Sequence, residues 1–246
     1  MSEDPFSLES EIRKRVTDRD LFGVEKVLGL SRHRFLKLLD EPSDWSLVIK
    51  LAVILEASLT QVLASRLATP ELQKHLARLP VDGRTGKLQL AEDLDVLDRV
   101  TVRRVRTIFS LRNLFAHDVA AIEQSLASVV SSMSVAERND FANTMLRIDE
   151  SQKIDNSGRE KTEIDLRLII WLGAGLSLSQ LTQVFHRNEA SRRWIAARVL
   201  VGDAFFAQRA GDSPTYRNKL KQAISTLEGE EDAPTTSKAS PTPRSS

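Results

Sequence analysis

An arginine, an asparagine and a histidine lie close together near the middle of the chain. Residues 112–117 read RNLFAH, so Asn113 and His117 are about one helical turn apart and Arg112 is adjacent to them. Histidine transfers protons near neutral pH, and the planar guanidinium of arginine binds phosphate oxygens in pairs. These residue types at this spacing indicate proton-transfer chemistry beside a bound phosphate.

Helical periodicity over residues 98–118 places Arg112 in an unusual position. With Arg112 set at zero on a helical projection, Ile108 lies at about −40° and Phe115 at about −60°. A guanidinium in the middle of an apolar face costs several kcal/mol unless it is paired or faces a wet cleft. The sequence therefore predicts that Arg112 has a charged partner or lines a site.

A positive stripe runs along the edge of the same predicted helix. Five arginines and no acidic residue occur between Arg99 and His117, whereas the whole chain has a formal net charge of only +1. An ordinary solvated face and a phosphate-binding surface both account for such a stripe, and the spacing leaves both interpretations open. The members of the stripe that precede the motif are Arg99, Arg103, Arg106 and Ser110.

A glutamate interrupts the apolar pattern of a second predicted helix, which spans residues 43–68. Projection places Glu56 among Ile49, Leu59 and Leu63. The simplest account is that Glu56 meets Arg112 in the core, since each charge would offset the burial of the other. Such a pair is either structural or part of a functional site, and the spacing does not decide between the two.

Composition favours an all-helical protein of 246 residues. Gly and Pro number only 10 and 8, and no strand-like alternation stands out. The absence of cysteine excludes disulfides, thiolate metal sites and cysteine nucleophiles, and no histidine or carboxylate spacing predicts a metal site. The N-terminus does not resemble a signal peptide, and the apolar stretches at 47–55 and 166–176 are short. We therefore expect a cytoplasmic protein with no membrane partner.

Breaks in the helical pattern predict five regions. Residues 1–40 form N-terminal helices, 41–148 a helical bundle, 149–161 a charged linker, 162–227 a helical C-terminal extension and 228–246 a disordered tail. Within these regions the predicted helices span 43–68, 87–96, 98–116, 162–173, 177–187, 189–209 and 213–227, with Ser177 predicted to begin one of them.

The motif and its surroundings are similar to a known group of proteins. The pattern R-N-x-x-A-H at 112–117 resembles the R-x4–6-H motif of the HEPN superfamily, which consists of all-helical domains. The apolar helix carrying Glu56-Ala57-x-Leu59, followed by Lys87-Leu88-x-Leu90 before the motif helix, resembles the mannitol-repressor-like (MltR) branch in order and spacing. The similarity covers residues 35–132.

This resemblance implies a metal-independent endoribonuclease with an HEPN-like helical bundle. Its composite site would form where two motifs face each other in a homodimer, without a cofactor, and cleavage would leave 2′,3′-cyclic phosphate ends. The implied cellular role is a toxin or defence effector that acts on RNA and has an antitoxin protein as partner. The implied catalytic residues are Arg112, Asn113, His117 and Glu56, and the implied nucleic-acid contacts are Arg99, Arg103 and Arg106.

Two alternatives remain open from the sequence. In the first, Arg112 and Glu56 form a structural pair and His117 is simply a polar helix end, as in a non-catalytic mannitol-repressor-like transcriptional regulator or RNA/DNA-binding module. In the second, residues 24–38 form a DNA-binding helix-turn-helix around Gly29, with Arg32, His33 and Arg34 at the start of its second helix. Against the second, Glu25 occupies a position where a small residue normally allows close helix approach.

Overall fold

A computed structural model describes residues 24–117, 123–146 and 166–229. These residues form helices joined by short turns and contain no strand, so the all-α prediction is confirmed. The α-helices are α1 (Val24–Leu28), α2 (Arg32–Lys37), α3 (Asp44–Leu67), α4 (Gln73–Arg78), α5 (Lys87–Asp93), α6 (Arg99–His117), α7 (Leu126–Ser131), α8 (Val135–Leu146), α9 (Leu166–Arg209) and α10 (Ser213–Glu228), and 3₁₀ turns span Leu38–Asp40 and Pro70–Leu72.

Helix α3 matches its predicted bounds because both ends carry local stop signals. The Ser43 hydroxyl accepts a hydrogen bond from the backbone N–H of Ser46 at 3.1 Å, which caps the first turn. At the other end, Ala68 adopts a left-handed conformation with φ of 54° and terminates the helix. Between these ends α3 is buried on most of its surface, including Leu51 and Leu55. It therefore forms the centre of the core, as its nearly continuous apolar pattern predicts.

The core is closed by α6 and the first part of α9. Trp171 of α9 is fully buried, and its indole N–H donates to the backbone oxygen of Phe35 at 2.9 Å. The same two rings lie 5.0 Å apart, which fixes the N-terminal helices against α9. From α6, Val105 and Ile108 fill the same cluster.

The three C-terminal helices predicted at 162–173, 177–187 and 189–209 are instead one helix of 44 residues. Ser177 does not cap a helix: its buried hydroxyl donates to the backbone oxygen of Gly173 one turn earlier, at 2.9 Å. A Cβ at Gly173 would lie 2.7 Å from the sulfur of Met145, so this glycine permits close packing rather than a break.

The chain divides into two compact units, Met1–His186 and Arg187–Ser246. This boundary lies within α9, whereas the sequence places a linker at 149–161. That segment, residues 1–23 and residues 230–246 of the expected disordered tail lie outside the described residues.

Helices α3 and α9 are long and apolar enough to cross a membrane by length and composition alone. Of their most apolar windows, 61% and 67% respectively are buried inside the protein. The stretches at 47–55 and 166–176 lie within these two helices, and most of each apolar window is buried.

Candidate functional site

Helix α6 carries the motif and is held at both ends. Near its start, the Asp98 carboxylate accepts a hydrogen bond from the backbone N–H of Thr101 at 2.7 Å. Near its end, the indole N–H of Trp45 donates to the backbone oxygen of Phe115 at 3.2 Å. Because Phe115 is itself buried, the last turn of α6 has a fixed position against the start of α3.

The motif residues lie at the surface on this last turn. Asn113 and His117 are exposed, whereas Arg112 is partly buried. The guanidinium of Arg112 donates through Nη1 to Oδ1 of Asn113 at 3.0 Å. The structure therefore brings Arg112 and Asn113 together and leaves the imidazole of His117 open to solvent. Leu114 in the same turn has 46% of its surface exposed.

The expected ion pair between Glu56 and Arg112 is absent. Oε1 of Glu56 instead lies 2.6 Å from Nζ of Lys87, whose side chain is fully buried, and Nζ also donates to the backbone oxygen of Ala77 at 3.3 Å. The eleven positions from Trp45 to Glu56 correspond to about 16 Å along α3. Glu56 is therefore the partner of a buried lysine. It lies far along α3 from Trp45, which contacts the motif.

The buried cation of α6 is Arg104 rather than Arg112. Arg104 has only 2% of its surface exposed, and its Nε donates to the backbone oxygen of Met145 at the end of α8, at 3.2 Å. Burial lowers the pKa of Arg104 to about 10, and the attraction of Asp98 opposes part of that shift. Arg104 therefore stays charged at neutral pH. Projection angle identified the apolar face of α6, but the core covers Leu111 and Phe115 and leaves Arg112, which lies between them, only partly buried.

The predicted positive stripe is only partly available to a ligand. Arg99 and Arg103 are exposed, but Arg106 forms an ion pair with Asp82 at 3.1 Å and approaches Glu92 at 3.9 Å. Burial of the Asp82 carboxyl raises its pKa, but the Gly83 N–H and Arg106 outweigh that effect and hold the pKa below its ordinary value of 3.8. Arg106 is thus partly neutralised within the protein.

No group of three potential metal ligands occurs in the ranges 24–117, 123–146 and 166–229. His75 is exposed on α4, and His33 is exposed on α2. His186 is exposed on α9, and His117 shares the last turn of α6 with Asn113.

The predicted helix-turn-helix segment does form two short helices around a turn. Gly29 has φ of 65°, a conformation that favours glycine, and its N–H donates to the backbone oxygen of Glu25 at 2.9 Å. Val24 and Phe35 are buried, whereas Arg34 is exposed in α2. The second helix, α2, has six residues, so it offers a short surface for a DNA groove.

The chain has no significant match among protein families, curated proteins or solved structures. The resemblance to the HEPN superfamily, drawn from residues 112–117 and the order of the predicted helices, gains no support from these comparisons.

Proposed function

We propose that this protein is a metal-independent endoribonuclease whose composite site is formed by residues 112–117 of two copies. The observation that carries the proposal is the exposure of Asn113 and His117, one turn apart, beside the Arg112 guanidinium that contacts Asn113. The structural alternative for Arg112 required a buried pair with Glu56. Because Glu56 is bound to Lys87, that pair does not form, and the guanidinium of Arg112 contacts Asn113 instead.

The chemistry follows from the residue types. The imidazole of His117 accepts the proton of an RNA 2′-OH, and the 2′-oxygen then attacks the adjacent phosphorus. The bond from phosphorus to the 5′-oxygen breaks, which leaves a 2′,3′-cyclic phosphate, and the departing oxygen takes a proton from His117 of the second copy. Arg112 holds the phosphate through its planar fork, and its hydrogen bond with Asn113 orients that fork.

Arg99 and Arg103 are the nucleic-acid contacts that remain after Arg106 is paired. Both are exposed on the helix that ends in the motif. Two cations in line with the site would attract the RNA backbone in a salt-dependent manner. A toxin or defence effector, with an antitoxin protein as partner, is the cellular role that we infer for such an enzyme.

The decisive experiment is RNA cleavage by purified protein in the presence of EDTA. We expect cleavage to persist, to leave 2′,3′-cyclic phosphate ends and to be absent at positions carrying 2′-deoxyribose. His117→Ala, purified in the same way, should lower turnover by roughly 10²–10⁴-fold, the range for loss of acid-base catalysis. His75→Ala, which removes another exposed helical histidine, is the matched control and should cleave at the wild-type rate.

Complete inhibition by EDTA with recovery on adding Mg²⁺ would contradict this mechanism. Cleavage of a substrate with 2′-deoxyribose at the scissile position would also contradict it, because the attacking oxygen would be missing. Equal activity of the His117→Ala and His75→Ala proteins would assign the cleavage to another residue or to a contaminating nuclease.

Duplex DNA binding by residues 24–38 is a second candidate, favoured by the Gly29 turn and the exposure of Arg34. In gel shifts at two salt concentrations, Arg32→Ala and Arg34→Ala should then weaken binding to a specific duplex, whereas Arg112→Ala and His117→Ala should not. Equal weakening on unrelated duplexes would leave only non-specific phosphate attraction.

A further inference from the structure

The second unit presents apolar and aromatic side chains to solvent along the C-terminal half of α9. Its two helices pack together through an ion pair between Lys219 and Asp203 at 3.4 Å, and Ala204 and Ala223 are buried. The large apolar and aromatic side chains of this part of α9 face the solvent. The following have 49–70% of their surface exposed on α9: Trp194, Ile195, Val199, Val201, Phe205 and Phe206.

A short pattern is repeated along this exposed face. Residues 194–198 read WIAAR, and residues 205–209, eleven positions later, read FFAQR. Eleven residues rotate a helix by only about 20° beyond three full turns, so the two copies lie in line, about 16 Å apart. Each copy places an aromatic ring one turn before an arginine.

The arginines lie against the rings rather than on the opposite face. The guanidinium carbon of Arg198 is 4.7 Å from the centroid of the Trp194 ring, and that of Arg209 is 5.8 Å from the Phe205 ring. Arg187 falls in line with them, since it precedes Arg198 by eleven residues. It lines an open groove together with Ala190, Ser191, Trp194 and Ile195.

Three of the four acidic residues of this unit are engaged in contacts within it. Residues 187–229 contain eight basic and four acidic residues, a formal charge of +4 in a chain of net charge +1. Glu189 pairs with Arg192 at 3.0 Å, Asp203 pairs with Lys219, and the Asp212 carboxylate caps α10 through the N–H of Thr215 at 3.1 Å. The positive charge of the arginines therefore lies on the same face as the aromatic rings.

We infer that this face, defined by Trp194, Arg198, Phe205, Phe206 and Arg209, binds single-stranded RNA. Unpaired bases stack on exposed aromatic rings, and neighbouring cations hold the phosphates, which is how sequence-tolerant single-strand surfaces work. The choice of RNA as the strand rests on the proposed function, whereas the surface itself is distinct from the motif on α6.

An exposed apolar helix face can be covered by a membrane, by a second copy of the protein or by a polyanion. The placement of the charges favours a polyanion. An amphipathic helix at a membrane keeps its cations on the face opposite the apolar side chains, but here they share one stripe. A second copy packed on the same face would bring arginines towards arginines, because none of the five residues that define the face is acidic.

The test is fluorescence anisotropy with a labelled 2′-O-methyl oligouridylate, which the proposed nuclease mechanism cannot cleave. We expect the full-length protein to bind this probe and the Trp194→Ala/Phe205→Ala double variant to bind at least about ten-fold more weakly. Arg198→Gln/Arg209→Gln should also weaken binding about ten-fold and reduce its salt dependence. Arg217→Gln/Lys221→Gln removes the same charge from exposed positions of α10 and should change the dissociation constant by less than about three-fold.

Failure of this proposal and failure of the proposed nuclease give different results. A protein that binds the probe through this face but cleaves no unmodified RNA would refute only the nuclease. Absence of probe binding, or equal weakening by the face variants and the α10 control, would overturn the RNA-binding face.

Two further measurements would show whether something other than RNA covers this face. Loss of a dimer in sedimentation of the Trp194→Ala/Phe205→Ala protein, with unchanged probe binding, would assign the face to self-association and overturn the proposal. Binding to phosphatidylserine vesicles without binding to the probe would assign it to a membrane surface, with the same consequence. Circular dichroism of each variant checks that these exposed substitutions leave the helices intact.

Discussion

Lys87 and Glu56 form an ion pair in which one partner is fully buried and the other reaches solvent. Nζ of Lys87 lies 2.6 Å from Oε1 of Glu56, with the lysine side chain 0% and the glutamate side chain 38% exposed. The lysine ammonium depends on Glu56 and on the backbone oxygen of Ala77 for the interactions it loses with water. The pair connects α3 to the start of α5.

Glu56→Ala should destabilise the protein because it leaves the buried ammonium of Lys87 with one fewer partner. We expect the free energy of unfolding to fall by about 2 kcal/mol, less than for a fully buried pair because Glu56 is partly solvated. Lys87→Met removes the buried charge itself and should cost less than Glu56→Ala. Urea unfolding of both single variants and the double variant measures the coupling, and additive effects would contradict a direct interaction.

Arg104→Ala and Arg103→Ala should differ strongly although the residues are neighbours. Arg104 is buried and donates to the backbone oxygen of Met145, so its loss leaves a cavity and a buried acceptor and should cost about 3 kcal/mol. Arg103 is exposed, and its loss should change stability by less than about 0.5 kcal/mol. Thermal and urea unfolding compare the two, and similar losses would contradict the assigned burial.

Arg112→Ala should leave the fold intact. Had Arg112 been paired with Glu56 in the core, this substitution would unfold or strongly destabilise the protein. Because Arg112 is partly buried near the end of α6 and donates to Asn113, we expect a loss of less than about 1 kcal/mol. Circular dichroism and urea unfolding provide the measurement, and a loss comparable with that of Arg104→Ala would place Arg112 in the core after all.

Acid should selectively weaken the contact made by Glu41. Hydrogen bonds from Lys50 and Ser46, each 2.6 Å from Oε2, hold the pKa of Glu41 below its ordinary value of 4.5. A carboxyl whose pKa is lowered by folding contributes stability that is complete above its ordinary pKa and is lost as pH falls through the lowered value.

The stability difference between the wild type and Glu41→Gln should therefore be larger at about pH 7 than at about pH 3. Glu71→Gln, which neutralises an exposed glutamate, is the control for the loss of one negative charge. A difference for Glu41→Gln that does not change with pH would show that the carboxylate is not stabilised by folding.

The sequence predicted well those helices whose ends carry local signals. Residues 43–68 were assigned within one residue at each end because Ser43 caps the helix and Ala68 ends it. Ser134 and Glu137 form a capping box at the start of α8, with the Ser134 N–H donating to Oε2 of Glu137 at 2.7 Å. The predicted break between residues 173 and 177 was wrong. In the sequence, a glycine that permits close packing and a serine that bonds to its own helix look the same as a helix boundary.

The sequence indicated which charged residues interrupt apolar faces, but not the partners of those residues. Periodicity placed Glu56 and Arg112 on apolar faces, but it could not show that their side chains meet different partners, Lys87 and Asn113. The pairing of Lys87 with Glu56 was not predicted, because a lysine at the start of a short helix is normally exposed. The aromatic and arginine pattern at 194–198 and 205–209 was visible in the sequence, but only exposure distinguishes it from a core face.

The final prediction concerns the oligomer that the proposed nuclease requires. One copy supplies a single histidine at the motif, whereas the cleavage needs one group to accept a proton and another to donate one. Leu114, exposed between Asn113 and Phe115, would be covered if two motif turns packed against each other about a two-fold axis. We therefore expect a homodimer at micromolar concentration.

Leu114→Glu should convert that dimer to a monomer and abolish cleavage, because two carboxylates would face each other at a two-fold contact while the exposed position tolerates the change in the free chain. His117→Ala should remain dimeric and lose cleavage alone, which separates assembly from chemistry. Sedimentation velocity and circular dichroism on the same samples provide the measurement. A wild-type monomer that still cleaves RNA would refute the composite site, since one motif would then be sufficient for both proton transfers.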